Sequence, residues 1–173
     1  MELKIGDQVV HPKYGLGYVV NLNEREFEPG VLHTYYEISM RGITLWVALD
    51  MPTFGLRKLS VRSEISHCRE ILVSLPNVLI ENPRERQAEM ADRLKLGSIA
   101  AHCEVVRDLY AYLGQKPSSG KLGVYLHDTQ EVLCQEWAEV EGISLIDATQ
   151  EVNTLLEKGK HEILSKQTID LSA

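Results

Sequence analysis

The chain is short of the residues from which most reactive sites are built. Its 173 residues include three cysteines, two tryptophans and only 6% aromatics. The cysteines are odd in number, lie in apolar surroundings and form no C-x-x-C pair. A disulfide framework is therefore excluded, and the pattern suits a reducing cytoplasm. The histidines (His11, His33, His67, His102, His127, His161) make no H-x-x-x-H pair. His67-Cys68 and His102-Cys103 are adjacent, and helix neighbours point about a hundred degrees apart, so neither pair chelates one metal. Each reads as a small buried thiol beside a surface histidine. Gly15-Leu16-Gly17 lacks the following helix that a phosphate-cradling loop requires. No apolar run approaches the ~20 residues of a membrane span, and no basic-then-apolar leader opens the chain. Positive charge is scarce as well: 18 Lys+Arg stand against 25 Asp+Glu, a net charge of -7. Residues 1–62 balance at 7 and 7, so the deficit falls in residues 63–173, with 11 and 18. The carboxylates fall opposite the apolar stripes of helices, as solvated charges do. No enzymatic activity, cofactor, metal or small-molecule substrate is expected; a hydrolase or metal enzyme would need a cluster assembled only by folding.

What is present is an ordinary core-forming composition, 44% apolar and 25% charged. Gln8-Val9-Val10-His11 has the content of a half-buried strand, Pro12 ends it, and Gly15 and Gly17 allow a turn or bulge before Tyr18-Val19-Val20. Extended segments follow through Glu26, a turn at Glu28-Pro29-Gly30, a strand over Val31–Met40, and a hairpin at Arg41-Gly42 returning through Ile43–Leu49. Met51–Gly55 reads as a loop and Leu56–Leu59 as a last short strand. Five strands without an intervening helix imply a small antiparallel barrel of the SH3/Tudor kind over residues 1–60.

The hydrophobic period changes at Ser63. Ile65, Cys68, Leu72 and Leu75 share a helical face that Pro76 stops. Asn82-Pro83 is a capped helix start, with the helix ending at Gly97. Ser98 caps the next helix, striped by Ile99, Cys103, Val106, Tyr110 and Leu113. Pro117–Gly120 opens another, with Leu122, Leu126, Thr129, Leu133, Trp137 and Val140 inward. Ser144 and Asp147 start a last helix with Leu145, Ala148, Val152 and Leu155 inward. The expected fold is α+β and multidomain: the barrel, then an all-α bundle over 61–173 with a loose, disordered tail after about 160.

Several of these segments share wording with one family. Gly6-Asp7-x-Val9-Val10-His11-Pro12 with Gly15-x-Gly17, Tyr35-Tyr36, Phe54–Leu59, Cys103–Leu109 and Lys116–Gly120 followed by Thr129–Glu139 stand in the same order as motifs of the CarD-like bacterial transcription factors. The chain resembles that family over nearly its whole length, and its opening resembles the RNA-polymerase-interacting module of transcription-repair coupling factors. The resemblance implies a Tudor-like domain that docks on the β subunit of RNA polymerase, and a helical domain placed over promoter DNA near the opening bubble. Contacts to polymerase would come from Arg25 and from the strand bearing Thr44 and Trp46; relatives more often have Arg or Tyr where Trp46 stands. Strand alternation sets Thr44, Trp46 and Ala48 against Ile43, Leu45, Val47 and Leu49, so Trp46 is expected outside the core.

For DNA, relatives carry a wedge tryptophan where this chain has Asn82-Pro83, and proline is a smaller wedge. The implied DNA-contacting residues are Asn82, Pro83, Arg84, Arg86, Arg93 and Lys95, set against a bland reading as a solvated face with pairs such as Glu89–Arg93. Residues 120–157 hold Lys121 alone against eight acids. The expected function is a cytoplasmic regulator that binds polymerase and modulates promoter opening through weak DNA contacts. The alternative is a polymerase-bound adaptor whose acidic bundle meets another protein, or mimics DNA.

Overall fold

A computed structural model describes residues 2–49, 55–115 and 120–170, excluding the side chains of 27, 28 and 161–170. The loop expected at 51–54 and the turn at 116–119 lie outside the described residues. The first unit is a five-stranded antiparallel sheet: β1 (Gln8–His11), β2 (Gly15–Glu28), β3 (Val31–Met40), β4 (Ile43–Ala48) and β5 (Arg57–Lys58). Its strand order is β4-β3-β2-β1-β5, so β4 and β5 are the two edges. The β1–β2 turn is closed by His11, whose Nδ1 accepts from the backbone N–H groups of Lys13 (3.1 Å) and Tyr14 (3.3 Å). Register shifts at Val19/Asn21 and Glu26/Glu28 bend the long β2–β3 ribbon. Leu3, Val9, Val19, Tyr36, Ile38, Met40 and Leu56 fill the interior, with Leu45 and Val47 packed against them. Ile43 and Leu49, expected on that inner face, are exposed because each lies at an end of the strand beyond the covered part.

Five helices follow: α1 (Arg62–Val73), α2 (Pro83–Lys95), α3 (Ile99–Gln115), α4 (Gly120–Glu141) and α5 (Leu145–Asp170). The side-chain caps expected from the sequence form. Asn82 Oδ1 accepts from the N–H groups of Arg84 (3.0 Å) and Glu85 (3.5 Å), Ser98 Oγ from Ala101 (3.1 Å) and Ser144 Oγ from Asp147 (3.1 Å). Helices α1, α3, α4 and α5 enclose a core of Ile65, Cys68, Leu72, Cys103, Leu133 and Trp137 with Val152 and Leu156. Leu75 and Leu145 depart from the expected stripes. Leu75 lies past the end of α1 and Leu145 at the first position of α5, and both are exposed. The backbone of α5 is helical to Asp170, past the point where a fading apolar pattern suggested a loose tail.

Helix α3 is buried well beyond a single stripe. One side faces the main core, while Val105 and Leu109 join Leu79, Met90, Leu94 and Leu122 in a second cluster beneath α2. A third side, at His102, meets the barrel. There Gly97 adopts φ +66° beside Gly55 at φ +86°; a Cβ on Gly97 would sit 3.2 Å from the Gly55 carbonyl oxygen, so these glycines let barrel and bundle touch backbone to backbone. The two units are pinned across this seam by Arg57 of β5, whose Nη1 and Nη2 each lie 2.5 Å from one oxygen of Glu136 on α4.

Candidate functional site

The docking residues expected from the sequence converge on one edge of the sheet. Direct pairing places Arg25 opposite His33, Asn23 opposite Tyr35, Glu37 opposite Trp46 and Ser39 opposite Thr44. These side chains therefore share the outer face, away from the interior residues. Arg25 and Thr44 are exposed and Trp46 is half-buried. What half-buries the indole is Arg25 itself, whose guanidinium carbon stacks 3.7 Å from the ring centroid. Behind them Asn23 Nδ2 donates to Glu37 Oε2 at 2.9 Å, fixing the polar floor of the face.

The backbone of β4 completes the site. Leu49 N–H donates to Thr34 carbonyl at 3.0 Å, and the two-residue turn at Arg41-Gly42 closes the Met40/Ile43 pair. Antiparallel bonding alternates, so the odd-numbered residues Ile43, Leu45, Val47 and Leu49 bond to β3. The N–H and C=O groups of Thr44, Trp46 and Ala48 then point away from the sheet. Among the described residues no further strand pairs with them. Such an edge presents an unpaired row of donors and acceptors with an aromatic–guanidinium stack above it.

The helical residues divide differently. Asn82, Pro83, Arg84 and Lys95 are exposed, and Lys95 Nζ is 2.9 Å from Asp92 Oδ1. Arg84 and Lys95 lie eleven positions apart, three turns of helix, and so share one face of α2 about 16 Å apart. Arg86 and Arg93 correct the expectation of a basic outer stripe. Arg86 is 6% exposed; its Nη1 donates to the carbonyls of Ile80 (3.0 Å) and Glu81 (3.2 Å) and to Tyr112 Oη (3.2 Å). Arg93 turns inward to Asp108 Oδ2 at 3.0 Å and Glu104 Oε2 at 3.1 Å. The Glu89–Arg93 pair is the long one, at 4.0 Å. Arginine at these positions joins elements of the bundle together, which helical spacing alone does not reveal.

The acids, expected as solvated charges, are corrected in the same way. Asp108 accepts from Arg107 (2.7 and 2.9 Å), Arg93 (3.0 Å) and the Asn77 N–H (2.9 Å), with no side-chain exposure. Glu136 is 1% exposed beside Arg57, Glu151 and Glu141 hold Arg69, and Glu131 reaches Arg41 at 3.6 Å. Glu136, Glu141 and Glu151 are thus matched by arginines of β5 and α1, whereas the Arg41–Glu131 pair lies at the surface and remains solvated.

His102 also departs from expectation. It is buried beside Cys103, because the barrel covers the face of α3 that an isolated bundle would expose. Its Nδ1 lies 3.2 Å from the Ser98 carbonyl, a contact that requires Nδ1 to carry the proton. Burial lowers its pKa, with Arg57 acting in the same sense and Ser98, Glu136 and the Pro12 carbonyl opposing. His11 is shifted down too, by burial and then by Lys13. The unfolded chain, with histidine near 6.5, therefore takes up protons that the folded chain refuses. The expected result is stability that is complete above about pH 6.5 and lost as pH falls below it, with a shallower loss in His102→Gln; melting temperatures between about pH 7.5 and 5.5 measure this.

The thiols carry no reactive signature. Cys68, Cys103 and Cys134 are free and buried; burial and then Cys68 raise Cys103 well above the ordinary thiol range, and burial pushes Cys134 up to about 11. Among the described residues no group of three His, Cys, Asp or Glu could hold a metal ion. Among the same residues no helix is long and apolar enough to cross a membrane.

Comparison with known sequences identifies the family of this open-edged β module joined to a helical unit. Residues 3–60 match the CarD-like/TRCF RID domain, and residues 68–153 match the CarD C-terminal domain. The chain belongs to the CarD-like family. It is also similar to the putative transcription factor YdeB of Bacillus subtilis (strain 168), 26% identical over 146 residues, 82% of this chain and 94% of the relative. Its role is transcriptional and involves RNA polymerase.

Proposed function

We propose that the chain docks on the β subunit of RNA polymerase through the β4 edge and modulates promoter opening, in the cytoplasm, by weak contacts of the helical unit with promoter DNA. The observation that carries the docking is the outward-facing backbone of Thr44 and Trp46 beneath the Arg25 stack. An unpaired edge extends a partner's sheet through main-chain bonds, while side chains beside it give specificity. DNA contact would come from Arg84 and Lys95 on their shared face of α2, with Asn82-Pro83 at its start. Two cations make a contact that is weak, steeply screened by salt and indifferent to sequence.

Proline at Thr44 tests the edge. It removes an N–H that bonds nothing in the sheet, and edge strands accept proline where that group faces outward. Thr44→Pro should fold and melt close to the parent yet bind the β subunit at least about tenfold more weakly, the loss expected when a backbone bond goes and its partner stays unsatisfied. Undiminished binding would remove edge pairing from the mechanism. A second reading, in which the helical unit meets a protein instead of DNA, is favoured by the inward turn of Arg86 and Arg93 and by exposed Ile143, Leu145 and Ile146 at the α4–α5 corner. A bubble-containing duplex that fails to shift at low salt, for parent and Arg84→Ala alike, would select it.

A further inference from the structure

The seam between barrel and bundle is built differently from either interior. Almost every polar group that crosses it comes from α4. Besides the Arg57–Glu136 fork, Gln8 Nε2 donates to Glu139 Oε1 at 2.6 Å and Arg41 faces Glu131 at 3.6 Å. These outer contacts are exposed and single. The central one is neither: Glu136 Oε1 also accepts from the Ser60 N–H at 3.1 Å, so one sequestered carboxylate receives three bonds from residues 57–60.

We infer that Arg57 and Glu136 are positioning residues that set the angle at which the helical unit is carried relative to the docking edge. This inference rests on the docking role proposed above. If packing alone were required, apolar side chains of the same volume would serve as well or better, since burying an ion pair gains little over burying hydrocarbon. What a planar guanidinium facing a carboxylate adds is direction, because two parallel bonds fix rotation as well as distance. The sheet order keeps the two functions apart. Docking lies on β4 and the fork on β5, at opposite edges, with three strands between. Changing the fork therefore leaves the docking edge untouched while altering where α2, with Arg84 and Lys95, is held.

The test uses the full chain and Arg57→Lys, which keeps the charge and the fold but cannot make a fork. A double variant, Arg57→Met with Glu136→Leu, keeps the burial and removes both charges. Residual dipolar couplings read the relative orientation of the two units, and polymerase binding and open-complex formation are measured beside them. In both variants the couplings of the two units should no longer fit the relative orientation found in the parent. Affinity for polymerase should stay within about twofold, because the altered site is remote from the edge. The effect on promoter opening should fall roughly tenfold or more, as expected when a group is no longer held within ten or twenty degrees of its working geometry. Unchanged orientation in both variants, or changed orientation with an undiminished promoter effect, would overturn the inference. If the parent itself does not bind polymerase, the docking reading fails, and an orientation that nevertheless depends on the fork would confine the inference to the joint's geometry.

Discussion

Asp108→Ala is expected to destabilise the chain by about 3–5 kcal/mol, the range found when one partner is removed from a buried ionic network. Arg107 and Arg93 both deliver guanidinium groups to this carboxylate, and Asn77 adds its N–H and, at 3.3 Å, its side-chain amide. Truncation leaves two largely buried cations without their shared carboxylate. Arg107 Nη1 retains Ser74 Oγ at 2.6 Å, so its loss is partial, whereas Arg93 keeps only half-exposed Glu104 and distant Glu89. For a chain of this size the change corresponds to a melting temperature lower by roughly 10 °C or more, read by circular dichroism. Arg84→Ala on the exposed face should stay within about 0.5 kcal/mol of the parent. A fall in Asp108→Ala no larger than that control would show that the network does not support the junction of α1, α2 and α3.

The second large effect is expected in binding. Trp46→Ala should weaken association with the β subunit by about thirtyfold or more, equivalent to ~2 kcal/mol, the scale of an interface hot spot. Two things are lost together: the aromatic surface, and the platform that holds Arg25 in place before the partner arrives. Trp46→Tyr keeps a ring for the guanidinium and should recover most of the affinity. Arg25→Ala removes one member of the stack and should lose less, about 0.5–1 kcal/mol at an exposed site. Because Trp46 is on the outer face, all three variants should melt near the parent. Titration against purified polymerase and its isolated β subunit measures these affinities, and an alanine variant that binds as well as the parent would dissociate Trp46 from docking.

The strands and helices were legible because each is locally specified. Alternation placed Leu45 and Val47 inward and Trp46 outward, and Asn82-Pro83, Ser98 and Ser144 marked helix starts that the structure uses as caps. The apolar stripes named most of the core for the same reason: burial of one helical face leaves a 3.6-residue period in the sequence. The misplacements have a common cause. Arg86, Arg93, Asp108 and Glu136 occupy positions that a lone helix would expose, and His102 sits on a face that only the barrel covers. A charged residue at a polar position of the pattern looks the same whether water or another element lies opposite.

The order of residues by itself determined the sequence of strands and helices and where most of them begin, which faces carry the cores, and the family motifs that place the chain in transcription. Only the tertiary structure decided which charges are spent inside, that the barrel and bundle are joined through Arg57 and Glu136, and that Thr44 and Trp46 share a free backbone edge with Arg25 above it. Local pattern reports the interactions of a residue with its own turn or strand; pairing of charges from remote segments depends on distances that exist only once the chain has closed on itself.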